Sequence, residues 1–186
     1  MPLISTVPPR TLTAITGAEV TVPDPGRLVH LQFRRFAGCP VCHLHLRSIV
    51  ARRDEIDAAG IREVVVFHST ADALRKHEAD LPVAVIADPD RRLYREFGVE
   101  TAARAVLDPR AWPGVVRAVT HAAVAAARLR RPVPPLRPEG GSLGLPADFL
   151  IASDGRVVAA KHGAHADDQW SVDELLSLAP VGHPAR

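Results

Sequence analysis

The sequence predicts an α/β fold: a central mixed β-sheet flanked by helices, with an N-terminal hairpin and a helical insertion. Three observations carry this. Short apolar runs alternate with helix-forming stretches from residue 28 to residue 98. Two more apolar runs, joined by a tight turn and followed by a helix, close the chain. The only two cysteines stand where the first of these strands gives way to a helix. A βαβαβα order followed by ββα calls for a mixed sheet covered on both faces. At 186 residues the chain fits a single domain, 1–186, with room for an insertion at about 101–141.

Each element has a local cause. Thr11-Leu12-Thr13 and Glu19-Val20-Thr21-Val22 flank Thr16-Gly17 as a small hairpin, and Pro23-Asp24-Pro25-Gly26 is a turn. Residues 28–33 form the first central strand. Cys42, Leu46, Ile49, Val50 and Ile56 recur at helical spacing, which predicts one helix over 40–59 ended by Gly60. Val64-Val65-Val66-Phe67 is continuously apolar and suits a strand buried on both faces. Residues 71–79 read as a polar helix, and Val83-Ala84-Val85-Ile86-Ala87 as a third buried strand. Asp88-Pro89-Asp90 caps the next helix, which stops at Gly98. Phe149-Leu150-Ile151 and Val157–Lys161 are strands around the hairpin turn Ser153-Asp154-Gly155. Ser171 caps a last helix.

The 47% apolar content supports a buried core and argues against disorder. A formal net charge of +2 gives no footprint for nucleic acid. No run is long enough to span a membrane. The start, Met1-Pro2-Leu3-Ile4-Ser5, lacks the basic and apolar regions of a secretory signal, so a cytoplasmic protein is expected. Residues 101–141 stand apart, with seven arginines (104, 110, 117, 128, 130, 131, 137) against Asp108 and Glu139. A helix from about Pro113 to Leu129 fits there. It reads as a basic surface helix, or as a docking surface for an acidic partner, an anionic substrate or a membrane.

The chemistry lies in Cys39-Pro40-Val41-Cys42. In a reducing compartment such a pair is catalytic or metal-binding sooner than structural. A bond between the two would close a loop of four residues, worth roughly 2 kcal/mol on the chain-entropy model. A thiol reacts as its thiolate, and a helix N-terminus with nearby cations lowers the cysteine pKa from about 8.5 into the range 3.5–7.5. Cys39 falls where orphan backbone N–H groups point outward. Pro40 suits the first helical turn, where its missing N–H has no partner to lose. Arg34 and Arg35 precede the pair, and His43 and His45 follow it. Each could add positive potential, although two arginines adjacent in a strand point to opposite faces. The expected roles are Cys39 as attacking thiolate at an exposed helix mouth and Cys42 as resolving thiol on the apolar stripe. The plain reading of His43 and His45 is solvent-facing helix residues. Cys39-Pro40-Val41-Cys42-His43 also matches the c-type haem attachment pattern, but the sole methionine is Met1 and no export signal is evident. A zinc site would lack a second close ligand pair. Neither a cofactor nor a metal is expected.

With these residues in view, the chain resembles the thioredoxin superfamily and, within it, the peroxiredoxin-like branch of the alkyl hydroperoxide reductase/thiol-specific antioxidant (AhpC/TSA) type. The segments that carry the resemblance are Phe36–Cys42, Asp88–Val99, Leu145–Ile151 and Ser153–Val158. The resemblance implies a thioredoxin-like fold and thiol redox chemistry. Peroxiredoxins share a Pro-x-x-x-Thr/Ser-x-x-Cys motif, where this chain has Gln32 and Phe36. They also carry an arginine three residues before a strand aromatic, where this chain has Pro146 before Phe149. A proline there is the thioredoxin habit, which implies a cis Leu145–Pro146 bond beside Cys39. Thioredoxins place a buried carboxylate six residues before the first cysteine. Here Phe33 stands there, so a proton relay falls to His43, His45 or water.

The expected function is thiol–disulfide exchange through the Cys39/Cys42 pair, supported by Pro40, Pro146, Arg35 and His43. The alternative is an antioxidant peroxidase that reduces hydrogen or alkyl peroxides through a Cys39 sulfenic acid. A third reading is a redox-sensing or scaffold module that binds a partner through 101–141. The partners implied are a disulfide or peroxide substrate and a thiol electron donor, either thioredoxin-like or of low molecular weight. A homodimer is admitted.

Overall fold

The computed structural model describes residues 4–99, 109–127, 141 and 144–179. A five-stranded mixed sheet runs in the order β5-β4-β3-β6-β7. Its strands are β3 (Leu28–Arg34), β4 (Ile61–Phe67), β5 (Ala84–Ala87), β6 (Ala147–Ile151) and β7 (Val157–His162). β3, β4 and β5 are parallel, while β6 and β7 run antiparallel beside β3. The expected fold class is therefore found. A separate hairpin, β1 (Arg10–Thr13) and β2 (Glu19–Val22), precedes the sheet. Its exit bridges Ala14 to Ile86, and the Ile15 N–H donates to the Val85 carbonyl at 2.9 Å. The hairpin thereby occupies backbone groups of the edge strand β5 that would otherwise invite foreign pairing.

Seven-residue β3 is buried along its whole length. Val29, Leu31 and Phe33 enter one core with Val64, Val66, Ile86, Phe149, the hairpin's Val20 and Val22, and Tyr94 and Phe97. Tyr94 lies on the short helix α4 (Arg92–Glu96), and Phe97 directly follows it. Phe33 stacks edge-on to Tyr94 and Phe149, with centroids 5.0 and 5.8 Å away. Burying such a ring stabilises the fold by roughly 1.5–3 kcal/mol. The Asp88 carboxylate receives the N–H groups of Arg92 and Leu93, both at 2.9 Å, so the aspartate expected to cap this helix does so.

The opposite face carries α1 (Pro40–Ala51), α2 (Arg53–Ala58), α3 (Ala71–Glu78), α5 (Trp112–Ala127) and α6 (Val172–Leu178). The single helix expected over 40–59 is in fact two. Arg52 leaves helical geometry at φ −116°, ψ 24°. Its guanidinium reaches Glu55 at 2.7 Å and Asp173, in the first turn of α6, at 2.5 Å. Ser171 caps α6 with a full capping box. Of the insertion expected at 101–141, α5 is found where a helix was expected. Residues 101–108, 128–140 and the arginines they contain lie outside the described residues.

Candidate active site

β3 delivers Arg34 and Arg35 to the C-terminal edge of the sheet, and the chain then turns through Phe36-Ala37-Gly38 into α1. Gly38 adopts φ +76°, a conformation that suits glycine. Three neighbours fix this turn. The Ala37 N–H donates to Ser69 Oγ at 3.0 Å, the Gly38 N–H to Glu78 Oε1 at 3.0 Å, and the His68 N–H to the Arg35 carbonyl at 3.3 Å. Cys39 is the N-cap residue of α1, extended at φ −62°, ψ 117°, and Pro40 opens the helix. Its carbonyl accepts the first helical bond, from His43, at 2.9 Å.

Both cysteines carry free thiols one turn apart. Arg35 Nη1 stands 3.8 Å from the Cys39 sulfur, and the Arg35 backbone N–H donates to the Cys42 sulfur at 3.4 Å. Arg34 turns to the other side, as adjacent strand positions require. Burial pushes the Cys39 thiol up, but the hydrogen bond from Cys42, the Arg35 guanidinium and the backbone N–H groups of Cys42 and Val41 outweigh it and bring the pKa to about 7. Cys42 moves the other way. Burial, its hydrogen bond to Cys39 and the Cys39 charge all raise it well above the ordinary thiol value. The pair is thus asymmetric, with one sulfur acidic and the other kept protonated.

The exposed helix mouth expected for Cys39 is not found. Cys39 is 1% exposed. It packs with Phe36, Val41, Cys42 and Ala118 of α5, so the insertion helix helps to cover the thiols. His43 is also less open than expected, with its Nδ1 3.6 Å from Oε2 of the buried Glu78.

His45 departs furthest from a solvent-facing role. Its Nε2 lies 3.2 Å from Arg34 Nη2, the edge of a buried polar cluster on the sheet face beneath α1. There Arg34 donates to Asp148 Oδ1 and to Gln32 Oε1, both at 2.6 Å. His30 bridges Glu63 at 2.9 Å and Asp148 at 3.1 Å, and Gln32 donates to Glu63. Burial opposes charge on His30, but the carboxylates of Glu63 and Asp148 outweigh it and raise its pKa to about 9. Asp148 lies well below the ordinary carboxylate range, because Arg34 and His30 outweigh its burial.

Pro146 does not adopt the expected cis bond. The one cis peptide among the described residues is Val22–Pro23. The Pro146 carbonyl accepts the Gly163 N–H at 2.8 Å, which holds it as the lead-in to β6 beside the end of β7. Gly144 is the residue of this segment that meets the site. A Cβ there would fall 2.9 Å from His68 Nε2 and 3.7 Å from Arg35 Cγ.

Sequence reasoning missed His68, Ser69, Glu78 and Gly144. His68 is 1% exposed and, among the described residues, has no hydrogen-bond partner at either ring nitrogen. Its burial, with Arg91 and Arg35 nearby, lowers its pKa to about 4. One signal was available: His68 directly follows the C-terminal end of β4, and open α/β sheets gather their functional groups at those ends. A cavity of about 400 Å³ lies instead toward the N-terminal ends of the strands, lined by Arg27, Arg62, Glu63 and Ala84 among others, away from the thiols.

Residues 48–165 match the model of the AhpC/TSA antioxidant enzyme family, a span that begins just beyond Cys42 and covers more than half of the chain. No curated protein matches the sequence. Solved structures share the fold. A Chlorobium tepidum protein assigned as the thiol:disulfide interchange protein DsbE is 20% identical with a TM-score of 0.57, over 96% of this chain and 99% of that one. Peroxidoxin BcpB of Mycobacterium tuberculosis is 14% identical with a TM-score of 0.59, over 95% and 96%. Peroxiredoxin Q of Xanthomonas campestris is 16% identical with a TM-score of 0.58, over 94% and 91%.

Proposed function

The chain belongs to the AhpC/TSA antioxidant enzyme family, and from that footing we propose that it is a thiol–disulfide oxidoreductase with Cys39 as nucleophile and Cys42 as resolving thiol. The asymmetry of the pair carries this reading. A Cys39 pKa of about 7 leaves a large thiolate fraction at neutral pH, while Cys42 keeps its proton until it is needed.

Cys39 thiolate attacks one sulfur of the substrate disulfide, and the other sulfur departs as a thiolate. The Cys42 thiol then gives up its proton and attacks the Cys39 sulfur of the mixed disulfide. The second substrate thiol leaves and takes up a proton. The substrate gains two electrons and the pair becomes a Cys39–Cys42 disulfide, which a thiol electron donor reduces again. Arg35 stabilises the thiolate at the first and last of these steps. Pro40 leaves the first helical turn without a competing donor. With Cys39 only 1% exposed, attack requires the Phe36 and α5 cover to part.

A second reading has the same thiolate attack the O–O bond of a peroxide. Cys39 becomes a sulfenic acid and an alcohol or water departs; Cys42 then condenses with it and releases water. Arg35 beside the sulfur favours this reading, since a cation there also steadies the departing oxygen. Neither threonine nor serine stands at Phe36 to orient the peroxide. Single-turnover kinetics on reduced protein separate the two, using hydrogen peroxide, an alkyl peroxide and a model disulfide. Faster disulfide than peroxide consumption, both lost in Cys39→Ser, is expected. Fast peroxide turnover with sluggish disulfide exchange overturns the first reading.

A further inference from the structure

The insertion helix α5 has two apolar sides. On its inner side Ala118 is buried with Cys39, Val41 and Cys42, and Val115 packs against the same cluster. Gly114 approaches Asp167 so closely that a Cβ there would overlap the carboxylate. On the outer side Trp112, Val116 and Val119 are 61%, 60% and 51% exposed, and Ala123 is exposed too. At about 100° per residue, Trp112, Val116, Val119 and Ala123 fall within roughly 60° of one line along the helix. Exposed valines and a tryptophan in line, on a helix whose other face is already packed, need a reason.

Two more features define what could cover this line. The Thr120 hydroxyl at its edge folds back onto the Val116 and Arg117 carbonyls, at 3.0 and 2.9 Å, and so presents no donor outward. From Pro109 to Pro138 the sequence has six arginines and no Asp or Glu. Arg117 is exposed about 100° around the helix from Val116, toward the Gly114 side. The acidic group that faces Arg117, Asp167, stands on the inner side of α5 against Gly114.

We propose that α5 docks the protein peripherally on an anionic lipid bilayer, with Trp112, Val116 and Val119 in the interface and Arg117 on the headgroups. An amphipathic helix with tryptophan on one side and arginine beside it is suited to that boundary, and tryptophan favours the headgroup level. Self-association through this face would press two basic segments together, which the charge opposes. An acidic protein partner would find the Trp112 indole N–H as the one hydrogen-bonding group along the apolar line to set its register. Among the described residues no helix is long and apolar enough to cross a membrane, so the contact is one of lying on the surface. It places the thiols on the far side of α5, about one helix diameter of 10 Å from the bilayer.

The test uses the full chain with vesicles of phosphatidylcholine alone or mixed with phosphatidylglycerol. Trp170 is buried and Trp112 exposed, so a Trp170→Phe background isolates the Trp112 fluorescence. A blue shift and co-sedimentation with the anionic vesicles are expected, weakened at roughly 0.5 M salt, where charges are screened within a few ångströms. Val116→Ser/Val119→Ser lowers the partition coefficient about tenfold or more, and Arg117→Glu about tenfold. Both variants change exposed side chains, and circular dichroism verifies their fold. Cys39→Ser/Cys42→Ser binds as the wild type does, which separates docking from the thiol chemistry. Absence of wild-type binding to anionic vesicles at low salt overturns the proposal. So does equal partition of Val116→Ser/Val119→Ser. A concentration-dependent dimer abolished by that variant assigns the face to a second copy and overturns it as well. Binding to soluble polyglutamate with no response to vesicles does the same in favour of an acidic polypeptide.

Discussion

Arg35 meets both sulfurs of the pair with different groups: its guanidinium lies 3.8 Å from Cys39, and its backbone N–H donates to Cys42 at 3.4 Å. The cation therefore favours charge on Cys39, while the amide holds Cys42 in place below it. The guanidinium also lies over the Phe36 ring, 5.3 Å from its centroid, so the same side chain steadies part of the cover.

Arg35→Met tests the cation. Without it the Cys39 pKa is expected to rise from about 7 toward the ordinary thiol value of about 8.5. At pH 7 the thiolate fraction falls by at most about fifteenfold, because the Cys42 hydrogen bond remains; the greater nucleophilicity of a more basic sulfur partly offsets this, for a net rate loss of at most roughly threefold to fourfold. At pH 9 the order reverses and Arg35→Met attacks a model disulfide faster than wild type. Thiolate absorbance and attack rates between pH 5 and 10 check this. A variant equally slow at every pH would place the effect in access rather than in charge.

The Cys42 hydrogen bond to Cys39 predicts a difference between two conservative replacements. Cys42→Ser keeps a donor and should leave the Cys39 titration close to wild type, while trapping the mixed disulfide for want of a resolving sulfur. Cys42→Ala loses the donor and should raise the Cys39 pKa. The same absorbance titration, with mass spectrometry of the trapped adduct, measures both. Equal pKa values in the two variants would show that the helix terminus and Arg35 alone stabilise the thiolate.

What the sequence revealed and what it concealed divide along distance in the chain. The Cys39–Cys42 pair, Pro40 at the helix start, the caps at Asp88 and Ser171 and the buried run Val64–Phe67 all have causes within a few residues, and all were legible. The split at Arg52 was not, because its partner Asp173 lies 121 residues away and no glycine or proline marks the break. The buried role of His45 depends on Arg34, whose carboxylate Asp148 is 114 residues distant. Cover of Cys39 by α5, whose Ala118 shares its cluster, was hidden too, because no local pattern ties that helix to the pair. The trans Pro146 shows the limit of resemblance: the proline position matched a family habit, but Gly163 sets the local backbone.

The buried cluster predicts a stability window. His30 has a folded pKa of about 9 against 6.5 for the ordinary group. Its contribution is therefore full below pH 6.5 and is lost as pH rises through about 9. Asp148 is depressed below its ordinary value of 3.8, so its contribution is present above that value and is lost as pH falls. His68, held neutral with its pKa lowered to about 4, makes stability rise from about pH 4 to 6.5, so urea midpoints should climb to a maximum near pH 6.5 and decline above it. Asp148→Asn leaves Arg34 and His30 short of a charge partner and should cost about 3–5 kcal/mol. His30→Gln should remove most of the alkaline decline. An alkaline limb unchanged in His30→Gln would assign it to other groups.

Gly144 and His68 predict a coupled pair at the roof of the site. Gly144→Ala sets a methyl 2.9 Å from His68 Nε2, closer than real contacts allow, and the buried ring has little room to yield. Overpacking of this kind costs about 1–3 kcal/mol. His68→Ala vacates the space and also removes two buried nitrogens that have no partner among the described residues, so its own loss should be smaller than that of a hydrogen-bonded core histidine. In the double variant the methyl fills part of the vacated volume, and the cost of Gly144→Ala should largely disappear. Denaturant unfolding of the four proteins gives the coupling energy directly. Additive losses would mean that the chain over Arg35 shifts to accept the methyl, in which case Gly144→Ala should change the Cys39 titration while leaving the His68 environment as it was.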